Sequence, residues 1–278
     1  MPELIACTSD PERTDRLAVH AGFSKVLVVG KLFQHVTYQH RLDQASTQEL
    51  HIYIEGDGTP WIQGRYPAAE PTPRHPLALE LMALDPGPAL YVGRPCYLGM
   101  AKSAYCEVEL WTSRRYSPEV VASMLEVIEQ YLRRFEIKRV VLIGYSGGGT
   151  LAALIAPRLH VQVFLLTLAA NLDTDLWTSL QGFLPLEGSL NPLDYRPAIA
   201  QTPQLHLVGL RDSNVPTAVT ESFTNGLHPQ TVRVFPEFDH SCCWLDIWPS
   251  ILADTPWKRA DYSRYSRERI GHTIPLLE

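Results

Sequence analysis

The chain has 278 residues, enough for one large α/β domain or two small ones, and enough to bury a substantial core. Its 45% hydrophobic and 19% charged content is that of a globular protein, and a formal charge of -6 argues against a nucleic-acid-binding surface. No stretch reaches the roughly 20 continuous apolar residues a membrane-spanning helix needs, and no repeat, heptad pattern or low-complexity tract is present.

Near the start, Leu4-Ile5-Ala6-Cys7 is similar to a bacterial lipoprotein processing site, in which the cysteine becomes the lipidated first residue. A secretory signal would place a basic stretch and then about 7 to 15 apolar residues before it. Only Met1, Pro2 and Glu3 stand there. The tetrapeptide is thus either a chance match on a cytoplasmic protein, or the remnant of a lipid-anchored or periplasmic protein whose signal has been cut away. With Cys7 set aside for lipid, Cys96, Cys106, Cys242 and Cys243 remain, an even number able to pair in an oxidising compartment. Cys96 and Cys106 are near enough to close a small loop; the alternative is four buried thiols. No C-x-x-C or H-x-x-x-H spacing accompanies them, so no metal site is expected.

Taken in order, Thr14 to His20 reads as a short helix closed by Gly22. Lys25 to Val29 and Phe33 to Gln39 read as an edge hairpin, and Gln48 to Glu55 as a third strand running into Gly56-Asp57-Gly58. Residues 59 to 76, with five prolines, form an irregular loop. Leu77 to Leu84 is an amphipathic helix and Ala89 to Val92 a fourth strand, followed by Gly93-Arg94-Pro95-Cys96. In the next helix Ser117 can cap and Pro118 takes the first helical position. Val121, Met124, Leu125, Ile128 and Leu132 then recur at helical spacing to about Phe135. Beyond residue 150 come a strand (Val161 to Leu168), a segment of weak periodicity (171 to 203) expected to be a small cap, and a strand (Gln204 to Leu210). A helix (Val215 to Leu227), a strand (Thr231 to Phe235), a helix (Cys242 to Ala253) and a polar peripheral tail from 255 to 278 complete the chain. Strands alternating with helices imply a mostly parallel sheet covered on both faces.

The centre of the chain is Arg139 to Leu151. Val140 to Ile143 has the composition of a strand buried on both faces, Gly144-Tyr145-Ser146-Gly147-Gly148 fits G-x-S-x-G, and Thr150 onward reads as a helix. Such a strand, sharp turn and helix hold a serine at the apex, with helix amides facing any negative charge that develops beside it. A serine hydroxyl is a weak nucleophile at neutral pH and needs a base, and the base needs a carboxylate to hold its tautomer. Downstream, Asp212 follows the strand at 204 to 210 and His240 follows the strand at 231 to 235, so Ser146, Asp212 and His240 each lie just past the carboxyl end of a strand, where open parallel sheets place their sites. Asp173 follows the strand at 161 to 168 and is the alternative acid. Asp239 reads as a turn residue. Trp61 and Trp177 are either packing residues or the lining of an acyl pocket.

On these motifs the chain resembles the α/β-hydrolase superfamily from about residue 25 to 253. The resemblance implies a single α/β-hydrolase domain with a mostly parallel, twisted sheet of about eight strands and helices on both faces. Ser146 would be the nucleophile, Asp212 the orienting acid and His240 the general base. It also implies an oxyanion hole from the amide of Gly147 and one from the loop after the third strand, Asp57 first and Gly58 next. The histidine often found at the start of that loop is Glu55 here. The implied activity is cleavage of an ester or related acyl bond in a small-molecule substrate through an acyl-enzyme, with no cofactor and no nucleic acid partner. A membrane would be involved only if Cys7 is lipidated. The alternatives are a thioesterase, peptidase or acyltransferase on the same triad, or a non-catalytic binding protein on this scaffold.

Overall fold

The two hydrophobic periods of the sequence, near 2 and near 3.6, are realised as alternating strands and helices in the computed structural model, which describes residues 10–44, 48–228 and 231–254. The expectations about Cys7 and about the tail from 255 to 278 lie outside these residues. In chain order the elements are α1 (Asp10–His20), β1 (Ser24–Val29), β2 (Gln34–His40), β3 (Glu49–Ile54), β4 (Trp61–Ile62), β5 (Tyr66–Pro67), α2 (Leu77–Ala83), β6 (Ala89–Val92) and α3 (Pro118–Arg134). They continue as β7 (Arg139–Tyr145), α4 (Gly147–Ile155), β8 (Gln162–Leu168), α5 (Thr174–Gln181), α6 (Arg196–Ile199), β9 (Gln204–Gly209), α7 (Thr217–Thr224), β10 (Val232–Phe235) and α8 (Trp244–Ala253).

Eight strands make one sheet in the order β1-β2-β6-β3-β7-β8-β9-β10. β2 runs antiparallel to both its neighbours, and every other adjacent pair is parallel. The carboxyl ends of β3, β7, β8, β9 and β10 therefore share one edge. Strands at the centre are buried on both faces, which is why β7 and β8 read as unbroken apolar runs rather than as alternating ones. Each fully buried leucine or isoleucine there, such as Leu142, Ile143 and Leu165, contributes about 1.5–3 kcal/mol relative to exposure.

Helix α3 buries Val120, Val121, Met124, Val127, Ile128 and Tyr131 along one stripe and ends on Arg133 and Arg134, whose charge suits a helix C-terminus. Ser117 occupies its N-cap position with extended backbone, but the hydroxyl is buried and makes no capping bond, so Pro118 at the first position is the start signal that operates. All nine residues of α4 are buried, as the glycine-rich and apolar composition of this helix requires.

Two stretches carry more regular structure than their periodicity suggests. The proline-rich residues 59 to 76 contain the small β4–β5 hairpin, and residues 171 to 203 contain α5 and α6. α5 is only eight residues long, too short for a clear 3.6-residue pattern, and is set by its ends. Asp173 accepts from Leu176 N at the start, and Gly182 takes the left-handed conformation (φ 65°) at the close. Cys96 and Cys106 are joined by a disulfide, as are Cys242 and Cys243, so the four-thiol alternative is not realised. Among the described residues no helix is long and apolar enough to cross a membrane.

Candidate active site

Ser146 stands between β7 and α4 with φ 52° and ψ -125°, a backbone conformation an L-residue adopts at a cost of about 1–3 kcal/mol. The surrounding chain enforces it. Ser146 N donates to Leu168 O of β8 at 2.9 Å, and Gly149 N donates to Ser146 O at 2.9 Å. The flanking glycines are needed for space: a Cβ on Gly144 would overlap the backbone of Gly148 and Gly149, and one on Gly148 would overlap the carbonyls of Ile54 and Glu55. The G-x-S-x-G spacing therefore reflects a turn packed against two strands at once.

The other two members of the sequence constellation converge on this serine. Asp212, just past β9, is buried; its Oδ1 accepts from Asn214 N at 2.9 Å and Val215 N at 2.8 Å. Its Oδ2 accepts from His240 Nδ1 at 2.8 Å. A carboxylate accepts only, so the ring proton sits on Nδ1 and the lone pair of Nε2 faces Ser146 Oγ, 3.1 Å away. His240 is held from behind, where Trp244 Nε1 donates to its carbonyl at 3.0 Å, and the Tyr145 ring lies 5.2 Å from the imidazole. This linear chain of groups can move the serine proton to an imidazole and stabilise the imidazolium that results.

Asp173, the alternative acid, is engaged elsewhere. It accepts from Leu176 N at 3.1 Å, Asn191 Nδ2 at 3.3 Å and Ser222 Oγ at 2.6 Å, so it serves as the cap of α5 while Asp212 takes the bond to the histidine. Asp239 accepts from the amides of Ser241 and Cys242, and these bonds lower its pKa, as a turn residue's would be. Of the two tryptophans, Trp177 is buried and donates to Asn214 O at 2.8 Å, which braces the loop carrying Asp212. Trp61 lies in the β4–β5 hairpin and is 42% exposed.

The loop after β3 abuts the elbow: a Cβ on Gly56 would come within 3.2 Å of the Ser146 Cβ. Among the described residues, the amides of Gly147, Asp57 and Gly58 donate to no protein acceptor. Glu55 turns away from the serine; its carboxyl accepts from Gly56 N at 3.1 Å and from Ala78 N at 3.0 Å at the start of α2. Burial raises its pKa to about 8, against the pull of those amides. Among the described residues no group of histidine, cysteine, aspartate and glutamate is arranged to hold a metal ion.

Sequence reasoning missed the side chains around Asp57. Its carboxylate accepts from Arg94, from Arg115 Nη1 at 2.8 Å and from Tyr116 OH at 2.7 Å, all buried. Arg94 follows β6 at the same sheet edge as the other site residues, and that placement is the signal by which it could have been found.

No protein-family model matches the chain, and no curated protein matches it in sequence. Solved structures match it in shape. The esterase of Pyrococcus furiosus superposes with a TM-score of 0.55 at 13% identity, covering 89% of this chain and 90% of that one. A Xanthomonas campestris protein described as an α/β serine hydrolase without a lid gives 0.54 at 13% identity, over 84% and 95%. The chain has the α/β-hydrolase fold. A membrane phospholipase A, a bacterial virulence factor, shares it too, with a TM-score of 0.55 at 15% identity over 88% of this chain and 89% of that one. At these identities the likeness of the α/β-hydrolase scaffold concerns shape alone, and chemistry rests on the side chains of this chain.

Proposed function

We propose that the protein is a serine hydrolase that cleaves an ester or related acyl bond through an acyl-enzyme intermediate. The observation that carries this reading is the placement of His240 between two partners, with Nδ1 2.8 Å from Asp212 and Nε2 3.1 Å from Ser146. Ser146 Oγ bonds to the acyl carbon as its proton passes to His240 Nε2, and the carbonyl electron pair moves onto the oxygen, which the amides of Gly147 and Asp57 receive. Collapse of this tetrahedral species expels the alcohol, protonated by His240, and leaves the acyl group on Ser146. Water then attacks the acyl carbon while His240 takes its proton and returns it to Ser146, releasing the acid. Each oxyanion donor in such a site is worth about 3–4 kcal/mol of barrier.

Labelling by a fluorophosphonate probe tests the reading. Wild-type protein is expected to label and Ser146→Ala to remain blank with its fold intact. Folded wild type that takes up no label would favour a binding protein on this scaffold. Paired ester, thioester and amide substrates of the same acyl group then separate an esterase from a thioesterase or peptidase, which share the first step.

A further inference from the structure

Asp57 presents an electrostatic problem that the site as described does not resolve. Its amide is a candidate oxyanion donor, yet its carboxylate lies directly against Gly147, where an added Cβ would overlap Oδ1. Gly147 is the residue whose amide would meet the developing negative charge. An ionised carboxylate so near, in a buried setting, would oppose that charge if it stood alone. It does not stand alone. Arg94 pairs with Oδ1, Arg115 Nη1 pairs with Oδ2 at 2.8 Å, and Tyr116 OH donates to Oδ2 at 2.7 Å. Tyr97 OH donates to the Asp57 carbonyl at 3.0 Å, so the backbone of the residue is fixed as well.

The cluster contains more positive charge than local pairing needs. One carboxylate faces two guanidiniums, which leaves a net positive charge in a buried site. Both arginines are nearly inaccessible, Arg94 at 2% and Arg115 at 5% exposure, and Arg94 Nε is buried without a hydrogen-bond partner among the described residues. Burying an unbalanced charge is expensive, and a structural ion pair would need only one of the two. Nor does the nearby Glu55 cancel it, because burial favours its protonated form at neutral pH. Burial alone would raise the pKa of Asp57; Arg115 and Arg94 reverse that and hold it well below the usual range, so the carboxylate stays charged and the pairing persists across the working pH.

We infer that Arg94 and Arg115 are positioning residues for the acyl-transfer step, which cancel the Asp57 carboxylate that lies against Gly147 and leave the cluster one net positive charge. The inference rests on the proposed serine chemistry and deepens it. The pair acts through Asp57 and through the field, on a state that carries negative charge, so it changes kcat more than the binding of a neutral substrate.

Arg115→Gln leaves Asp57 bonded to Arg94 and Tyr116 but makes the cluster neutral. We expect kcat for a neutral p-nitrophenyl ester to fall at least about tenfold with KM within about threefold. Affinity for a boronic acid, which forms a tetrahedral anion on the serine, is expected to fall in step with kcat. The double variant Asp57→Asn with Arg115→Gln restores one net positive charge and is expected to regain most of the loss, although it removes two more charged bonds. A merely structural role predicts the opposite order, the double variant being the worse. Unchanged kcat in Arg115→Gln, equal changes in kcat and KM, or a double variant no better than the single one would overturn the inference. If Arg115→Gln does not fold, as judged by circular dichroism and melting, Arg115→Lys provides the same test: retained charge should preserve boronate affinity, and its loss would count against the proposal. Wild type that neither labels nor hydrolyses would overturn the serine chemistry itself, which an active wild type with insensitive arginine variants would not.

Discussion

Asp212 and His240 meet through a 2.8 Å bond between Oδ2 and Nδ1, and the second oxygen of the same carboxylate is tied to the amides of Asn214 and Val215. The acid is thus fixed by its own loop before it fixes the imidazole. Asp212→Asn should lower kcat by about four orders of magnitude through the wrong tautomer, while the fold survives. Asp173→Asn should leave kcat within a few-fold and cost about 1 kcal/mol of stability by weakening the acceptor for Ser222 Oγ, since asparagine caps α5 as well as aspartate does. Steady-state ester hydrolysis and urea unfolding of both variants measure these effects, and a large kcat loss in Asp173→Asn would reverse the assignment of the acid.

The positive φ at Ser146 predicts a trade between activity and stability. Ser146→Ala and Ser146→Gly should both abolish fluorophosphonate labelling. Ser146→Gly should be the more stable by about 1 kcal/mol despite the greater freedom of the unfolded glycine chain, because only glycine relieves the strain at φ 52°. Thermal unfolding of the two side by side gives the difference.

Much of this was readable in the sequence, and for a physical reason. Strands buried on both faces tend to be continuous apolar runs, so β7 and β8 stood out, and the positions just past the carboxyl ends of the parallel strands were placed by sheet geometry alone. α5 and the β4–β5 hairpin were not legible because they are short and are set by caps and turns rather than by period. The Arg94–Asp57–Arg115 cluster was invisible for a different reason. Its members are separated by 37 and 21 residues, and only burial distinguishes them from ordinary surface charges.

Glu55 makes stability pH-dependent with a definite sign. Its folded pKa, about 8, exceeds the unfolded carboxylate value near 4.5, so the native state holds a proton that the unfolded chain releases. The wild-type advantage over Glu55→Gln should therefore be greatest below about pH 4.5 and decline as pH rises to about 8, by an amount on the order of a few kcal/mol. Urea midpoints of the two proteins at pH 5 and pH 8 give the change in that difference; a constant gap would show that the carboxyl is ionised in the fold.

The Cys96–Cys106 disulfide closes a short loop just after β6, next to Arg94. Loop-closure entropy assigns it about 3 kcal/mol, so Cys96→Ala with Cys106→Ala should lower stability by roughly that amount. Denaturant titration of this double variant beside the wild type checks the value.

The tether from Trp244 Nε1 to the His240 carbonyl gives α8 a share in the chemistry. Serine is anchored between β7 and α4 and the acid by its own loop after β9, whereas the imidazole hangs on a turn after β10 whose far side is clamped by the buried indole that begins α8. Loosening that indole, even by a change that never approaches substrate, would let the base swing out of line while leaving its two companions in place. The proton path therefore depends on a packing contact behind the imidazole, which makes α8 part of the apparatus and not just a cover for the sheet.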